Sequence, residues 1–227
     1  MISLTNEIEF TDELNAEILK IKCLYESYKN DNHVMFWQQN NGDALISMTD
    51  GNMIIYNRSA DFEELTEFVD VLCPACVFSD YETLKKLNRA PNEHINVMYR
   101  KADIKSDAKS DELSSKELYS ILDTDGLSLP EYPYFAVDYC RRRNKGYAEY
   151  FGIKDTCAVI TFHSGKNAII NGLASHKKGF GTVALNGILS KNYGRNLLVC
   201  CRDKVKGFYI KNKFKPLYYA GYWVKNK

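Results

Sequence analysis

No run of apolar residues in this 227-residue chain approaches the roughly 18–20 that a membrane-spanning helix requires. The opening segment, MISLTNEIEFTDELN, carries acids early and lacks the basic-then-apolar order of an export signal. Cysteine is odd in number, seven with irregular spacing, which argues against a disulfide framework and for a reducing compartment. Net charge is nearly absent, at +1. The composition shows no bias toward disorder or low complexity. These absences together predict a soluble, cytoplasmic protein that does not engage a membrane. What is present is ordinary globular composition, 45% hydrophobic and 26% charged, in a length that suits one or two domains.

The small net charge hides a division. Residues 1–110 carry 11 Lys and Arg against 19 Asp and Glu, a net of −8, and residues 111–227 carry 19 against 10, a net of +9. A basic half points to a polyanionic partner, whether nucleic acid, a membrane surface or a phosphorylated cofactor, or else to two halves that attract each other. Nucleic-acid binding calls for interleaved aromatics and a larger overall basic excess, and is not expected. The polar stretch KADIKSDAKSDELSSKE, 101–117, reads as a linker ending in the cap of a new helix at Ser114 or Ser115. We place a domain boundary near residue 110, giving an N-terminal α/β domain, 1–110, and a second domain, 111–227.

Periodicity places helices and strands in both halves. The first half reads as a helix within FTDELNAEILKIKCLYESY, strands HVMFWQQ, DALISMT and NMIIYN, a helix DFEELTEFVDVL, a strand ACVFSD, a short helix YETLKKL and a strand INVMYR. Asp50–Gly51 is a hairpin signal. The second half reads helix, helix, three strands, helix, strand, helix, strand. Hairpins followed by a strand–helix–strand crossover predict an α/β fold with a mixed sheet and helices on both faces.

The most informative stretch is NAIINGLASHKKGFGTVALNGIL, 167–189. An apolar strand runs into SHKKGFG and then directly into a helix. Gly179 and Gly181 permit tight turns, the helix N-terminus brings its positive dipole end, and Lys177 and Lys178 add charge, which together make an anion cradle suited to a pyrophosphate. The stretch is neither the GxxxxGK[ST] of a P-loop nor GxGxxG followed by a distant acid.

His176-Lys177-Lys178-Gly179-Phe180-Gly181 resembles the [QR]xxGx[GA] loop of the GNAT N-acetyltransferase superfamily. Some 30 residues on, Phe208-Tyr209-Ile210-Lys211-Asn212-Lys213-Phe214 looks like that family's FYxKxGF segment, and the element order over 111–227 is similar to a whole GNAT domain. The resemblance implies a GNAT-like fold in 111–227 and transfer of acetyl from acetyl-CoA to a primary amine of a small molecule or peptide, with no metal. It implies that His176, Lys177, Lys178, Gly179, Phe180, Gly181 and Thr182 hold the pyrophosphate. Leu173, Ala174 and Ser175 would pair through their backbone with the pantetheine arm. Tyr209 would act as the acid that returns a proton to the leaving thiolate. Three positions depart from the family pattern: His176 replaces Gln or Arg, Arg202 stands where Asn is common, and Lys213 stands where Gly is usual, with Asn212 expected to absorb the turn. The general base is unassigned among Glu131, Asp138, Glu149, His176 and a water chain. The alternative reading is a non-catalytic acyl-CoA-binding or interaction module on the same fold.

Other motifs carry blander readings. Cys73-Pro74-Ala75-Cys76 closes a helix and opens a strand, the reverse of a thioredoxin-type CxxC, and no second ligand pair supports zinc. Cys200-Cys201 reads as buried small residues more readily than as a nucleophile. Arg141-Arg142-Arg143-Asn144-Lys145 suits a helix C-terminus. The first half resembles a degenerate GNAT-like copy: Asn57-Arg58-Ser59-Ala60-Asp61 replaces the glycine loop, and the acidic helix start that follows would repel a pyrophosphate.

Overall fold

The computed structural model describes residues 1–124 and 127–225. Its contacts divide the chain into two compact units, Met1–Met98 with Cys200–Lys227 (unit 1) and Tyr99–Val199 (unit 2).

Unit 1 opens with β1 (Ile2–Leu4) and α1 (Ala16–Tyr28). Asn15 starts α1 by accepting the Ile18 amide on its side chain, an N-cap that satisfies a donor the helix cannot. β2 (Val34–Gln39), β3 (Ala44–Thr49) and β4 (Asn52–Asn57) form an antiparallel meander. Its second turn is Asp50–Gly51, with φ of 48° and 74°, the backbone that Asp-Gly favours. α2 (Phe62–Leu72) is capped by Asp61 and ends at Cys73 in a left-handed conformation; β5 (Cys76–Asp80), α3 (Tyr81–Lys86) and β6 (Glu93–Lys101) follow, the last three residues of β6 counting with unit 2. The far end of the chain completes the unit with α7 (Asp203–Lys211) and β11 (Lys215–Val224). The strand order is β1-β2-β3-β4-β5-β11-β6, so the last strand lies between two early ones. β11 runs antiparallel to β5, with Ala220 opposite Asp80 and Val224 opposite Cys76.

Two apolar clusters fill unit 1. In one, Ile18 and Ile21 of α1 meet Val34, Phe36, Leu45 and Tyr56 of the meander. In the other, Leu65 and Val69 of α2 and Leu84 of α3 meet Ile46, Met53, Ile55 and Val77. These are the residues that helical and strand spacing mark as apolar faces.

In unit 2 the segment 102–114 has no helix or strand, as its polar composition leads one to expect. α4 (Ser115–Leu122) begins with a reciprocal capping box between Ser114 and Glu117. α5 (Tyr132–Asn144), β7 (Ala148–Ile153), β8 (Cys157–Ser164), β9 (Asn167–Ser175), α6 (Phe180–Lys191) and β10 (Asn196–Cys201) follow, the last two residues of β10 counting with unit 1. The order is β10-β9-β8-β7. β7, β8 and β9 are antiparallel neighbours, and α6 is the crossover that lets β10 run parallel to β9. The helix lies close on its sheet because Gly187 has no side chain: a Cβ there would stand 2.1 Å from the Phe151 ring.

Both units are mixed α/β, the fold class that was predicted, and the elements fall within a few residues of the predicted ones, although the units do not have the bounds 1–110 and 111–227. β1 is the addition. Three residues, two of them exposed, give no periodic signal.

Candidate active site

The loop between β9 and α6 carries the strongest chemical signal in unit 2. β9 pairs with β10 over Asn167–Ile170 and Asn196–Val199, and the register ends there, while β9 itself continues to Ser175. On its other side β9 follows β8 throughout, but the register shifts at Ile160/Thr161, which face Gly172 and Ile170. Asn171 is therefore the extra residue of a β-bulge. Bulges bend a strand and re-aim its backbone groups. Leu173 is half-buried, Ala174 buried and Ser175 exposed, immediately beyond the bulge.

From Ser175 the chain turns tightly. The Ser175 hydroxyl donates to the Lys177 carbonyl at 2.7 Å, the His176 amide donates to the Thr156 carbonyl at 2.8 Å, and the Phe180 amide reaches the Lys177 carbonyl at 3.2 Å. Gly179 is the N-cap of α6, at φ 88°, a left-handed backbone that suits glycine. No side chain caps this helix, its first turn holds no acid, and a Cβ built on Gly179 would meet nothing within 4 Å. His176, Lys177 and Lys178 are exposed, and Phe180, Gly181 and Thr182 are half-buried. The result is a helix N-terminus with open space before it and two lysines beside it, which favours an anion.

The corresponding helix start in unit 1 is closed. Asp61 accepts the amides of both Glu63 and Glu64, and those two acids occupy the first turn of α2. An anion arriving there would meet three carboxylates and amides already bonded.

Tyr209 lies on α7, in unit 1. It is buried, its ring packed edge-on against Phe208 and Phe214 at centroid distances of 5.1 and 5.3 Å. Burial raises its phenol well above the usual range, with the neighbouring Cys201 and Cys200 adding to the effect, so the hydroxyl keeps its proton. Lys213, not Asn212, takes the turn after α7: its φ is 64°, while Asn212 stays at −91°. Arg202 precedes α7 and binds Glu93 through its guanidinium instead of capping the helix.

The two adjacent thiols are poor nucleophiles. Burial pushes Cys200 up to about 11, against the opposing pull of Lys20, and burial pushes Cys201 up to about 11 as well. His163 on β8 is depressed to about 4 by burial and the charge of Arg195, which keeps it neutral. The unassigned base candidates are scattered over unit 2. Glu149 lines a cavity of about 310 Å³ with Arg143 and Lys191, Asp138 is paired with Arg142 at 2.8 Å, and Glu131 stands at the start of α5. Arg142 is itself buried over the Phe162 ring, while Arg143, Asn144 and Lys145 are exposed, so the basic run ends a helix, as its position suggested, and of the run only Arg142 is buried. Among the described residues no group of three or more His, Cys, Asp and Glu is placed to hold a metal ion, and no helix is long and apolar enough to cross a membrane.

Sequence reasoning missed one buried group, Glu17. It is 1% exposed on the inner face of α1, and one oxygen accepts the Tyr218 hydroxyl. The other oxygen, Oε1, has no hydrogen-bond partner. Burial raises its carboxyl to about 7, Tyr218 pulling the other way and the Asp80 charge adding to the rise. One turn further on, Lys20 sets its ammonium 3.7 Å from the Phe78 ring centroid and 3.3 Å from the Tyr222 hydroxyl. The signal was available, since Glu17 sits four residues before Ile21 on the track of the apolar stripe.

No family model and no curated protein matches this sequence. Solved structures do. The chain is similar to a GCN5-related N-acetyltransferase from Sphaerobacter thermophilus, at 10% identity and a TM-score of 0.55 over 85% of this chain and 80% of that one. It is similar to a tandem GNAT protein from the clavulanic acid biosynthesis pathway, at 11% identity and 0.55 over 89% and 86%. An acetyltransferase of the GNAT family from Colwellia psychrerythraea aligns at 12% identity and 0.50 over 99% and 100%. At such identities the likeness is one of fold, and the fold is GNAT-like.

Proposed function

We propose that the protein is an N-acetyltransferase that moves the acetyl group of acetyl-CoA directly to a primary amine, with its cofactor-binding domain in residues 111–227. The observation that carries this reading is the uncapped start of α6. An open, glycine-led helix N-terminus flanked by Lys177 and Lys178 suits the pyrophosphate of CoA. The backbone of Leu173, Ala174 and Ser175, beyond the bulge at Asn171, would take the pantetheine arm, and a backbone N–H there would polarise the thioester carbonyl. Tyr209, which keeps its proton, would give it to the thiolate as the C–S bond breaks. The amine's own proton leaves through a base or a water chain. The high thiol pKa values of Cys200 and Cys201 support direct transfer over an acyl-cysteine route. A cytoplasmic location suits an enzyme that draws on acetyl-CoA.

The test is acetyl-CoA binding by calorimetry in the wild type and in Gly179→Val. The valine would strain a left-handed position and fill the space before the helix, so affinity should fall at least tenfold with the fold retained by circular dichroism. Unchanged affinity would remove the loop from the site. Thiol release with a panel of amines then separates the transferase from a module that binds acyl-CoA without turning it over.

A further inference from the structure

Unit 1 has a pocket of its own that the acyl-transfer reading does not use. β4 and β5 are paired in parallel over Asn52–Ile54 and Cys76–Phe78. Past that point the Ser79 hydroxyl donates to the Ile55 carbonyl at 2.8 Å, a side-chain bond where the backbone ladder has ended. Where neighbouring parallel strands diverge at their C-terminal ends, α/β folds open a crevice. Here it is a cavity of about 470 Å³, lined by Asn15, Asn57, Asp80, Tyr81, Glu82, Tyr218 and Tyr219. That volume suits a small molecule.

The lining has two carboxylates and no Lys, Arg or His. Asp80 uses one oxygen, Oδ1, to cap α3 through the Thr83 amide at 2.9 Å, which fixes the carboxylate; its Oδ2 has no hydrogen bond among the described residues. Asn15 is fixed in the same way by capping α1 through Oδ1. Asn57 accepts the Ala60 amide and donates to Thr83, so the wall is rigid on that side. Three tyrosine rings supply the remainder of the lining. Cations stand outside the lining: Lys85 lies over Tyr81 at 4.6 Å and 3.7 Å from Glu82, Lys206 lies 5.5 Å from the Tyr219 ring centroid, and Lys20, one turn along α1 from Glu17, sets its ammonium against Phe78 and Tyr222. Behind Tyr218, whose hydroxyl accepts the Ala16 amide at 2.8 Å and donates to Glu17, stands the unpartnered Oε1 of that buried acid. The only charged side chains in the lining itself are therefore the carboxylates of Asp80 and Glu82, set among two asparagines and three tyrosine rings.

We propose that this pocket binds a small organic cation, its charge held by Asp80 and Glu82 and its stem lying on the rings of Tyr218 and Tyr219. Carboxylates supply the Coulomb attraction, and the negative faces of aromatic rings add to it. A phosphate or carboxylate ligand is disfavoured by the same charges.

The experiment uses the whole chain and three probes of one shape and different charge: n-butylammonium, 1-butanol and butyrate. Binding is followed by NMR of protein with 13C-labelled tyrosine rings, the Tyr218 and Tyr219 signals being identified by substitution with Phe. Butylammonium should move both signals saturably and bind at least tenfold more tightly than butanol, and butyrate should leave them in place. Asp80→Asn keeps the helix cap, because Asn caps as well as Asp, and should weaken butylammonium about tenfold; Glu82→Gln, at an exposed position, should weaken it about threefold. Equal binding of ammonium and alcohol, binding of butyrate, no movement of the two rings, or unchanged affinity in both variants would overturn the proposal. Acetyl-CoA affinity, measured in parallel, is expected to be the same in the wild type and both variants, so a failure here and a failure of the acyl-transfer reading give different results.

Discussion

Replacing Glu17 by Gln should make the protein's stability much less sensitive to pH. In the unfolded chain a glutamate titrates near 4.5, and in the fold burial raises Glu17 to about 7. At about 1.4 kcal/mol per pH unit, the gap is worth about 3 kcal/mol. The sign follows from which state holds the proton. The folded state binds it more tightly, so the stabilisation is fully present below pH 4.5. It is lost as pH rises, because the unfolded chain then ionises freely while the folded one must either keep its proton or bury a charge, and the loss is complete above about pH 7. Gln is neutral throughout and can still accept the Tyr218 hydroxyl. The stability of Glu17→Gln minus that of the wild type should therefore shift by about 3 kcal/mol in favour of Gln between pH 4.5 and pH 8. Urea unfolding read by tryptophan fluorescence is the assay, since both tryptophans, Trp37 and Trp223, belong to unit 1 with Glu17. Taking the difference between the two proteins cancels the titrating groups that do not interact with Glu17. A difference that stays flat over that range would show that Glu17 ionises as it would in water, and the reasoning from its burial would be wrong.

Other substitutions test separate links. Tyr209→Phe keeps the ring among Phe208 and Phe214 and removes the proton donor, so turnover should drop by roughly 10²–10⁴-fold with the acetyl-CoA dissociation constant nearly unchanged; full turnover would make Tyr209 a packed aromatic only. Lys213→Gly should raise stability by about 1 kcal/mol, because Lys213 holds a left-handed backbone that costs a side-chain residue roughly that much, and a lower urea midpoint would refute the strain. Gly187→Ala should destabilise by about 1–3 kcal/mol, since its methyl would collide with the Phe151 ring beneath α6; circular dichroism during urea unfolding reads this directly.

Much of the fold was legible because local rules agree with one another here. Ser114 and Glu117 announce α4, Asp50–Gly51 announces a hairpin, and the strand–loop–helix run of 167–191 shows its crossover through alternating and then helical apolar spacing. The glycine-led start of α6 was readable for the same reason: left-handed backbone leaves a mark in residue type. What sequence could not supply is partnership between distant segments. Nothing in KPLYYAGYWV says that this strand lies beside CVFSD, and nothing in AEILK says that Glu17 meets Tyr218, two hundred residues away. Lys213 shows a second limit. A residue that tolerates an unfavourable backbone conformation is invisible to propensity, which assigned the turn to its neighbour Asn212. The helical spacing could have placed Glu17 on the inner face of α1, but the shift of its carboxyl is set by burial and by Tyr218 and Asp80, which the helix alone does not supply.

The place of β11 between β5 and β6 sets the order in which this protein can be assembled as it is made. Asp80 and its ladder partner Ala220 are 140 positions apart in the chain, so a ribosome that has finished β5, α3 and β6 has not yet supplied the strand that joins them. Until β11 emerges, two strands with unpaired backbone edges wait side by side, the kind of surface that recruits chaperones or a neighbouring chain. The N-terminal unit, though made first, is the last to close, and a stop codon ahead of Lys215 would leave an open sheet in the half of the molecule farthest from it in sequence.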